Sequence, residues 1–414
     1  MNYIDKLIKG VEVEWKSLGD VVDISNVGVD KKSNVNEKKV RLLNFVDVFN
    51  NQYISNETPT MIVTASDRKI IECDIKKGDV FITPSSELID EIGFSAMAIE
   101  DFDNAVYSYH IMRLRINDNS LILSAYLNFL FSCTEVRKQI RLKAQGITRF
   151  GLNQPNWKSL QIPVPSLSVQ KEIVRILDNF TELTAELTAE LTARKKQYIF
   201  YREQFFHFND AEVKTEPLGV IGEFQRGKRF VKDDLISEGV PCIHYGEMYT
   251  HYGTWANKSK SFLSSDLFER KNLRVAENGD VVIVAAGETI EDIGLGTAWL
   301  GDEGVVIHDA CFSFRSPLNP KYFAYFTRTK QFHDQIKKHI SSGKISAINA
   351  RGLEKVLIPV PSPEAQERIV TILDKFDTLT TSISEGLPKE IELRKKQYEY
   401  YRDLLLTFPR KETA

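Results

Sequence analysis

No two cysteines in this chain stand close together. Cys73, Cys133, Cys242 and Cys311 form no CxxC pair, so no dithiol redox motif is framed, and reduced, buried thiols are expected. A GxxxxGK[ST] nucleotide loop is also lacking. Met1-Asn2-Tyr3-Ile4-Asp5-Lys6-Leu7 carries no signal-peptide apolar core, and no apolar run reaches the length of a membrane span. A cytoplasmic protein is therefore expected. An excess of one charge is missing too. The 54 Lys and Arg against 57 Asp and Glu leave a net charge of −3, which excludes a uniformly basic coat for nucleic acid but allows local basic surfaces. Carboxylates are scattered, and no pair of them can be placed together from the sequence.

What is present is a sequence written twice. Gln161-Ile162-Pro163-Val164-Pro165-Ser166 returns as Leu357-Ile358-Pro359-Val360-Pro361-Ser362. Ile173 to Phe180 (IVRILDNF) returns as Ile369 to Phe376 (IVTILDKF), and Arg194-Lys195-Lys196-Gln197-Tyr198 as Arg394-Lys395-Lys396-Gln397-Tyr398. Fainter echoes link Gly78-Asp79-Val80 to Gly279-Asp280-Val281, and Glu87 to Gly93 (ELIDEIG) to Glu288 to Gly294 (ETIEDIG). A repeat this long is a duplicated domain pair and no solenoid unit. The 414 residues, 42% hydrophobic and 27% charged, can fill two or more globular cores.

Each copy reads as two parts. The first is rich in short apolar runs such as Val80-Phe81-Ile82 and Val281-Val282-Ile283-Val284, which suit buried strands, mixed with helical stretches at Ser124 to Ala144 and Pro320 to His339. The second is a long helix. Ile173, Ile176, Leu177, Phe180, Leu183, Leu187, Leu191, Tyr198 and Phe205 recur at helical spacing, with no Gly or Pro over residues 166–208. Ser166 and Ser362-Pro363 are start signals. In the second copy Gly386-Leu387-Pro388 breaks or kinks the pattern. The expected fold is α+β: two pseudo-symmetric α/β domains, 1–160 (with an N-terminal helix) and 211–356, joined by two long antiparallel helices, 161–210 and 357–414, paired as a coiled coil.

Thr181 to Ala193 repeats the four-residue unit TAEL. Phe180 to Arg194 is fourteen residues and Phe376 to Arg394 eighteen, so the copies differ by one unit's length. Four helical residues add about 6 Å and a net rotation of about 40°. That rotation is close to one base-pair step of B-DNA, while the rise exceeds it by about 3 Å.

The paired P-V-P-S, I-V-x-I-L-D-x-F and R-K-K-Q-Y-x-x-Y-R blocks and the TAEL units resemble the specificity subunit of type I restriction–modification systems, most closely the type IC subclass with TAEL spacer repeats. The resemblance covers the whole chain. It implies that each α/β domain is a target recognition domain reading one half of a bipartite, asymmetric double-stranded DNA sequence. It implies further that the helices set the gap between half-sites and dock two methyltransferase subunits, and that two restriction (motor-nuclease) subunits join them. S-adenosylmethionine would belong to the methyltransferase partners, ATP and Mg to the motor-nuclease partners, and no cofactor or metal to this chain, which would be non-catalytic.

Cations on phosphates and polar tips on base edges are then the side chains to seek. In the second domain these are Arg226, Lys228 and Arg229 around a glycine, His244 and Tyr245, Glu288 and Thr289, and Lys344. In the first they are Lys31 and Lys32, Asn44 and Asp47, Ser85 and Ser86, and Gln145, Thr148 and Arg149. Arg194, Lys195 and Tyr198, with Arg394, Lys395 and Tyr398, are candidates for partner binding. Against each stands a plainer role as solvated turn, strand end or helix face. Asn153-Gln154-Pro155-Asn156-Trp157 is too far from the Asn-Pro-Pro-aromatic motif of amino-methyltransferases to count, and His308-Asp309-Ala310-Cys311 sits in an apolar run as a structural element does. A stand-alone DNA-modifying enzyme and a coiled-coil assembly scaffold are the alternatives.

Overall fold

A computed structural model describes residues 3–410 apart from 33, 209–212, 342 and 344. The chain forms two compact units, Met1–Glu186 with Ile391–Ala414, and Leu187–Glu390.

In the first unit, strands Val22–Ser25, Met112–Ile116, Val80–Ile82, Ser95–Ala98 and Tyr53–Ile54 form, in that spatial order, a five-stranded sheet. In the second, Glu223–Arg226, Cys311–Arg315, Val281–Val284, Gly296–Trp299 and Trp255–Ala256 repeat that order. The pairs are antiparallel except the last in each sheet, which is parallel. A second sheet lies beside each. It has three strands in the first unit (Ile62–Ala65, Lys38–Leu43, Ala105–Tyr107) and four in the second (Ser261–Leu263, Val240–Ile243, Val305–Ile307, Val275–Ala276).

The apolar runs are unbroken because these strands are buried on both faces. Val80 and Ile82 join the core beneath helices Ser124–Leu130 and Thr134–Lys143, while Phe81 between them faces the second sheet's core. Val281 and Ile283 likewise face one core, and Val282 and Val284 another. Alternation of side chains along a strand divides the run between two cores.

The recurring Gly-Asp-Val has a structural cause. Asp79 accepts the Lys76 N–H (2.8 Å) and two guanidinium bonds from Arg115, both 2.7 Å. Asp280 does the same with the Glu277 N–H (2.9 Å) and Arg315, both 2.8 Å. Asn153 and Asn349 are equivalent too. Each caps a short helix, accepting from Asn156 N–H and Gly352 N–H at 2.9 Å.

The first copy's long helix is continuous from Leu167 to Gln204. The second copy's is divided into Pro363–Thr381 and Leu387–Leu406. Ser362 caps the former, accepting from Ala365 N–H. Ser166 begins the long helix, but its hydroxyl bonds Ser168. The start of the long helix lies in the first unit, where Ile173 and Leu177 share a core with Leu405 and Leu406, and Phe180 stacks on Tyr401 at 5.5 Å. Its end lies in the second, where Tyr198 and Phe206 share a core with Ile369, Val370 and Leu373. Each unit thus uses the beginning of its own copy's helix and the end of the other's. All four cysteines are buried and unpaired. Among the described residues no helix is long and apolar enough to cross a membrane.

Candidate nucleic-acid interface

In the first unit five loop segments gather at one end of the sheets. Asn44 caps helix Phe45–Phe49, accepting the Val46 N–H (3.0 Å), while Asp47 accepts the Asn44 N–H (2.9 Å). Burial raises the Asp47 pKa, opposed by that bond and by the Lys31 charge. Ser85–Ser86 pairs with Phe150–Gly151. Beside this pairing Arg149 donates Nε–H to the Ser85 hydroxyl (3.1 Å), and Ser86 donates to Glu91 (2.5 Å). Gln145 and Gly151 exchange two backbone bonds of 2.9 Å, closing the loop that carries exposed Gln145, Thr148 and Arg149. Phe45, Ser86–Leu88, Glu91, His110 and Arg149 enclose a cleft of about 420 Å³. His110 has its pKa lowered by burial and by the charges of Lys31 and Arg149, with Asp30 opposing. Lys31 is exposed, and Lys32 pairs with Asp30 at 3.2 Å.

The same segments gather in the second unit with other side chains. Arg226 ends a sheet strand. Its Nε–H donates to the Asp309 carbonyl (2.9 Å) and its guanidinium lies 5.9 Å from the Phe312 ring centre. Arg226 as a whole is exposed. Lys228 and Arg229 follow. His244 follows a strand of the second sheet and donates its N–H to Glu247 (3.1 Å), repeating the Asn44–Asp47 cap. Burial lowers the His244 pKa against the opposing Glu247 charge. The half-exposed Tyr245 ring lies 4.6 Å from His244 and 5.1 Å from His308. Ala286–Gly287 pairs with Ser346–Ala347, leaving Glu288 and Thr289 exposed. Lys344 lies outside the described residues.

His308 is structural, as expected. One ring nitrogen, Nε2, donates to the Phe230 carbonyl (2.9 Å) and the other, Nδ1, accepts the Ala310 N–H (3.0 Å). Among the described residues no group of three or more His, Cys, Asp or Glu could hold a metal ion.

Two cations escape a reading of the sequence. Arg274 donates to the Arg226 carbonyl (2.7 Å) and Lys271 to the Arg229 carbonyl (3.3 Å). They follow Arg226 by more than forty positions, and only the fold brings them to that loop.

The candidate partner residues lie on the long helices, apart from these loops. Lys195 and Lys395 are exposed. Arg194 bonds Glu190 (3.4 Å) and Gln197 (3.0 Å), and Arg394 bonds Gln397 (3.0 Å). Tyr198 corrects the expectation. It is buried against Phe376 and bonded to Asp377 (3.4 Å), and burial pushes its phenol up to about 12. A side chain so enclosed packs its own unit and offers a partner nothing. Tyr398 is half-buried against the first unit's core.

Comparison with known proteins adds independent findings. The family model described as the type I restriction modification DNA specificity domain matches twice, at residues 10–194 and 211–393. The EcoR124I/EcoR124II type I restriction enzyme specificity subunit of Escherichia coli is 32% identical over 428 residues, covering 100% of this chain and 99% of that protein. A putative type I restriction enzyme specificity subunit of Haemophilus influenzae is 31% identical, covering 98% of each. A solved chain from work on complex assembly and conformational transition in the type I R-M system shares the fold, with TM-score 0.62 at 16% identity over 96% of this chain and 98% of that one.

Proposed function

The chain belongs to the type I restriction–modification DNA specificity family, and from that premise we propose that each unit reads one half of a split, non-palindromic DNA target. The observation that carries this reading is the convergence, in both units, of the same loop segments at one end of the same pair of sheets, with different side chains in each. Equivalent frames with unlike tips are suited to unlike half-sites. In the first unit Arg149, His110, Glu87 and Glu91 offer donors and acceptors to base edges. In the second Arg226, Tyr245, Glu288 and Thr289 do so.

In this proposal the chain is the non-catalytic subunit of a cytoplasmic complex. Its long helices dock two methyltransferase subunits that carry S-adenosylmethionine and methylate adenine, and two motor-nuclease subunits supply ATP- and Mg-dependent restriction. Lys195, Lys395 and the exposed Phe200 and Tyr400 are among the helix residues open to such partners. The TAEL segment sets the gap between the half-sites.

Methylation mapping in a host expressing the complex tests the proposal. A split motif with two different halves is expected, and an uninterrupted or palindromic motif would refute it. The rival reading, a stand-alone modifying enzyme, requires methyl transfer by the purified chain incubated with S-adenosylmethionine and DNA. None is expected.

A further inference from the structure

The two units carry very different charge on equivalent loops. Gly227 threads past the backbone of Ile307 and His308, as Gly28 does past Ser108 and Tyr109, so closely that a Cβ at either would fall within about 2 Å of main-chain atoms. That constraint aligns the loops. Where the second copy has Arg226, Lys228 and Arg229, the first has Val27, Val29 and Asp30, and its cations Lys31 and Lys32 come where the second has Phe230 and Val231.

Helix Ser265–Lys271 and the residues after it enlarge the difference. Lys271 donates to the Arg229 carbonyl (3.3 Å), Arg274 to the Arg226 carbonyl (2.7 Å) and Lys228 to the Lys271 carbonyl (3.3 Å). A carbonyl positions a cation without cancelling its charge. Among the described residues one carboxylate, Asp234, lies within ion-pair reach of these five side chains, 3.7 Å from Lys271. In the first unit the corresponding helix, Asp67–Glu72, holds Arg68 in a closer pair with Glu72 (2.6 Å), while Lys69 stands 3.7 Å from Glu72, as far as Lys271 stands from Asp234. Lys38 pairs with Asp67 (2.8 Å) and Lys32 with Asp30 (3.2 Å).

We infer that Lys228, Arg229, Lys271 and Arg274 form a phosphate-binding face, and that the second unit supplies most of the salt-dependent hold on DNA. Cations held by carbonyls can meet phosphates and release counterions directly. Cations already paired with carboxylates must first give up that partner. The first unit then contributes chiefly through its cleft. This inference rests on the DNA-reading function proposed above and adds an unequal division of labour between the units.

The test is equilibrium binding of the assembled methyltransferase complex to a duplex carrying the mapped target, between about 50 and 200 mM salt, where each phosphate contact contributes about 0.9 to the log–log slope. The double variant Lys271→Gln/Arg274→Gln keeps a donor for each carbonyl and removes both charges. Its slope should fall by about 1.8, with the methylated motif unchanged. Exposed Arg229→Gln alone should lower it by about 0.9 and guards against a folding defect in the double variant. Lys38→Gln/Arg68→Gln in the first unit, at cations paired with Asp67 and Glu72, should leave it unaltered. An unchanged slope in the second-unit variants, or an equal fall in the first-unit pair, would overturn the inference. Failure of the unaltered complex to bind any duplex would instead refute the DNA-reading function itself.

Discussion

Asp280 and Asp79 show how much one side chain settles in each copy. Both are almost wholly buried, yet each accepts one backbone and two guanidinium bonds. The Arg315 side chain is 65% exposed, so the worth of its pair is that of charged hydrogen bonds and not of a buried ion pair. Asp280→Ala should therefore cost about 2 kcal/mol in urea unfolding. An unchanged midpoint would show that the arginine finds an equal partner in water. The histidines act through pH. His244, His308 and His333 all have pKa values below 6.5, with burial the largest cause in each. As pH falls through 6.5 the unfolded chain takes up protons before the folded one, so stability drains away below that point. Asp377 works the other way. Burial raises its pKa above 3.8, so the folded state binds that proton first and gains stability as pH approaches 4. His308→Asn retains an acceptor for the Ala310 N–H and should lose less melting temperature than the parent between pH of about 7 and 5.5. Equal losses would clear His308 of any part in the acid response. If each unit reads DNA as proposed, Arg226 bears on specificity. Its guanidinium is held by the Asp309 carbonyl and lies beside the Phe312 ring, and in the proposed reading it would pair with guanine O6 and N7. Arg226→Ala should relax one base of one half-site at a cost of about 1–3 kcal/mol, read as degeneracy at that position in the methylome.

Among the elements, the helices of the two copies diverge most. The second copy's four extra residues fall in the region where its helix is broken. The gap between its two helices ends at Gly386 with φ of +82°, where a Cβ would lie 2.5 Å from the Thr378 carbonyl. Gly386→Ala should lose about 1 kcal/mol or more in chemical denaturation. Indifference to the change would mean that the turn can open without cost. The first copy's TAEL segment stays helical throughout. Deleting Thr184 to Leu187 removes about 6 Å of rise, and under the proposed ruler it should shorten the preferred gap in the methylated motif with both halves intact. A changed half-site would refute the ruler. The strands were the most legible elements: Val80 to Ile82 and Val281 to Val284 lie where the apolar runs indicate, because burial on both faces leaves no alternation to obscure them. The break in the second helix was legible as a position, from Gly386 and Pro388. Its form, one helix ending at Thr381 and another beginning at Leu387, is shaped by a local turn in which the Ser382 hydroxyl accepts the Ser384 and Glu385 N–H groups (3.3 and 3.1 Å).

For the whole molecule, duplication is the feature that organises everything else. It could be read from the sequence because backbone-determining residues recur in both copies: the capping Asn153 and Asn349, the turn-forming Asp79 and Asp280, and the apolar faces of the long helices. Local chemistry demands those residue types wherever the fold recurs, so they mark the two-copy plan, the α+β class and the family. Tertiary structure alone decided three matters. It gave each unit the end of the other copy's helix, since the apolar stripe of a long helix specifies burial without naming a partner. It enclosed Tyr198, whose neighbours Phe376 and Asp377 come from far along the chain. It also brought Lys271 and Arg274 to the Arg226 loop, because charges on an exposed turn carry no signature of what they will face until the chain has closed around its core.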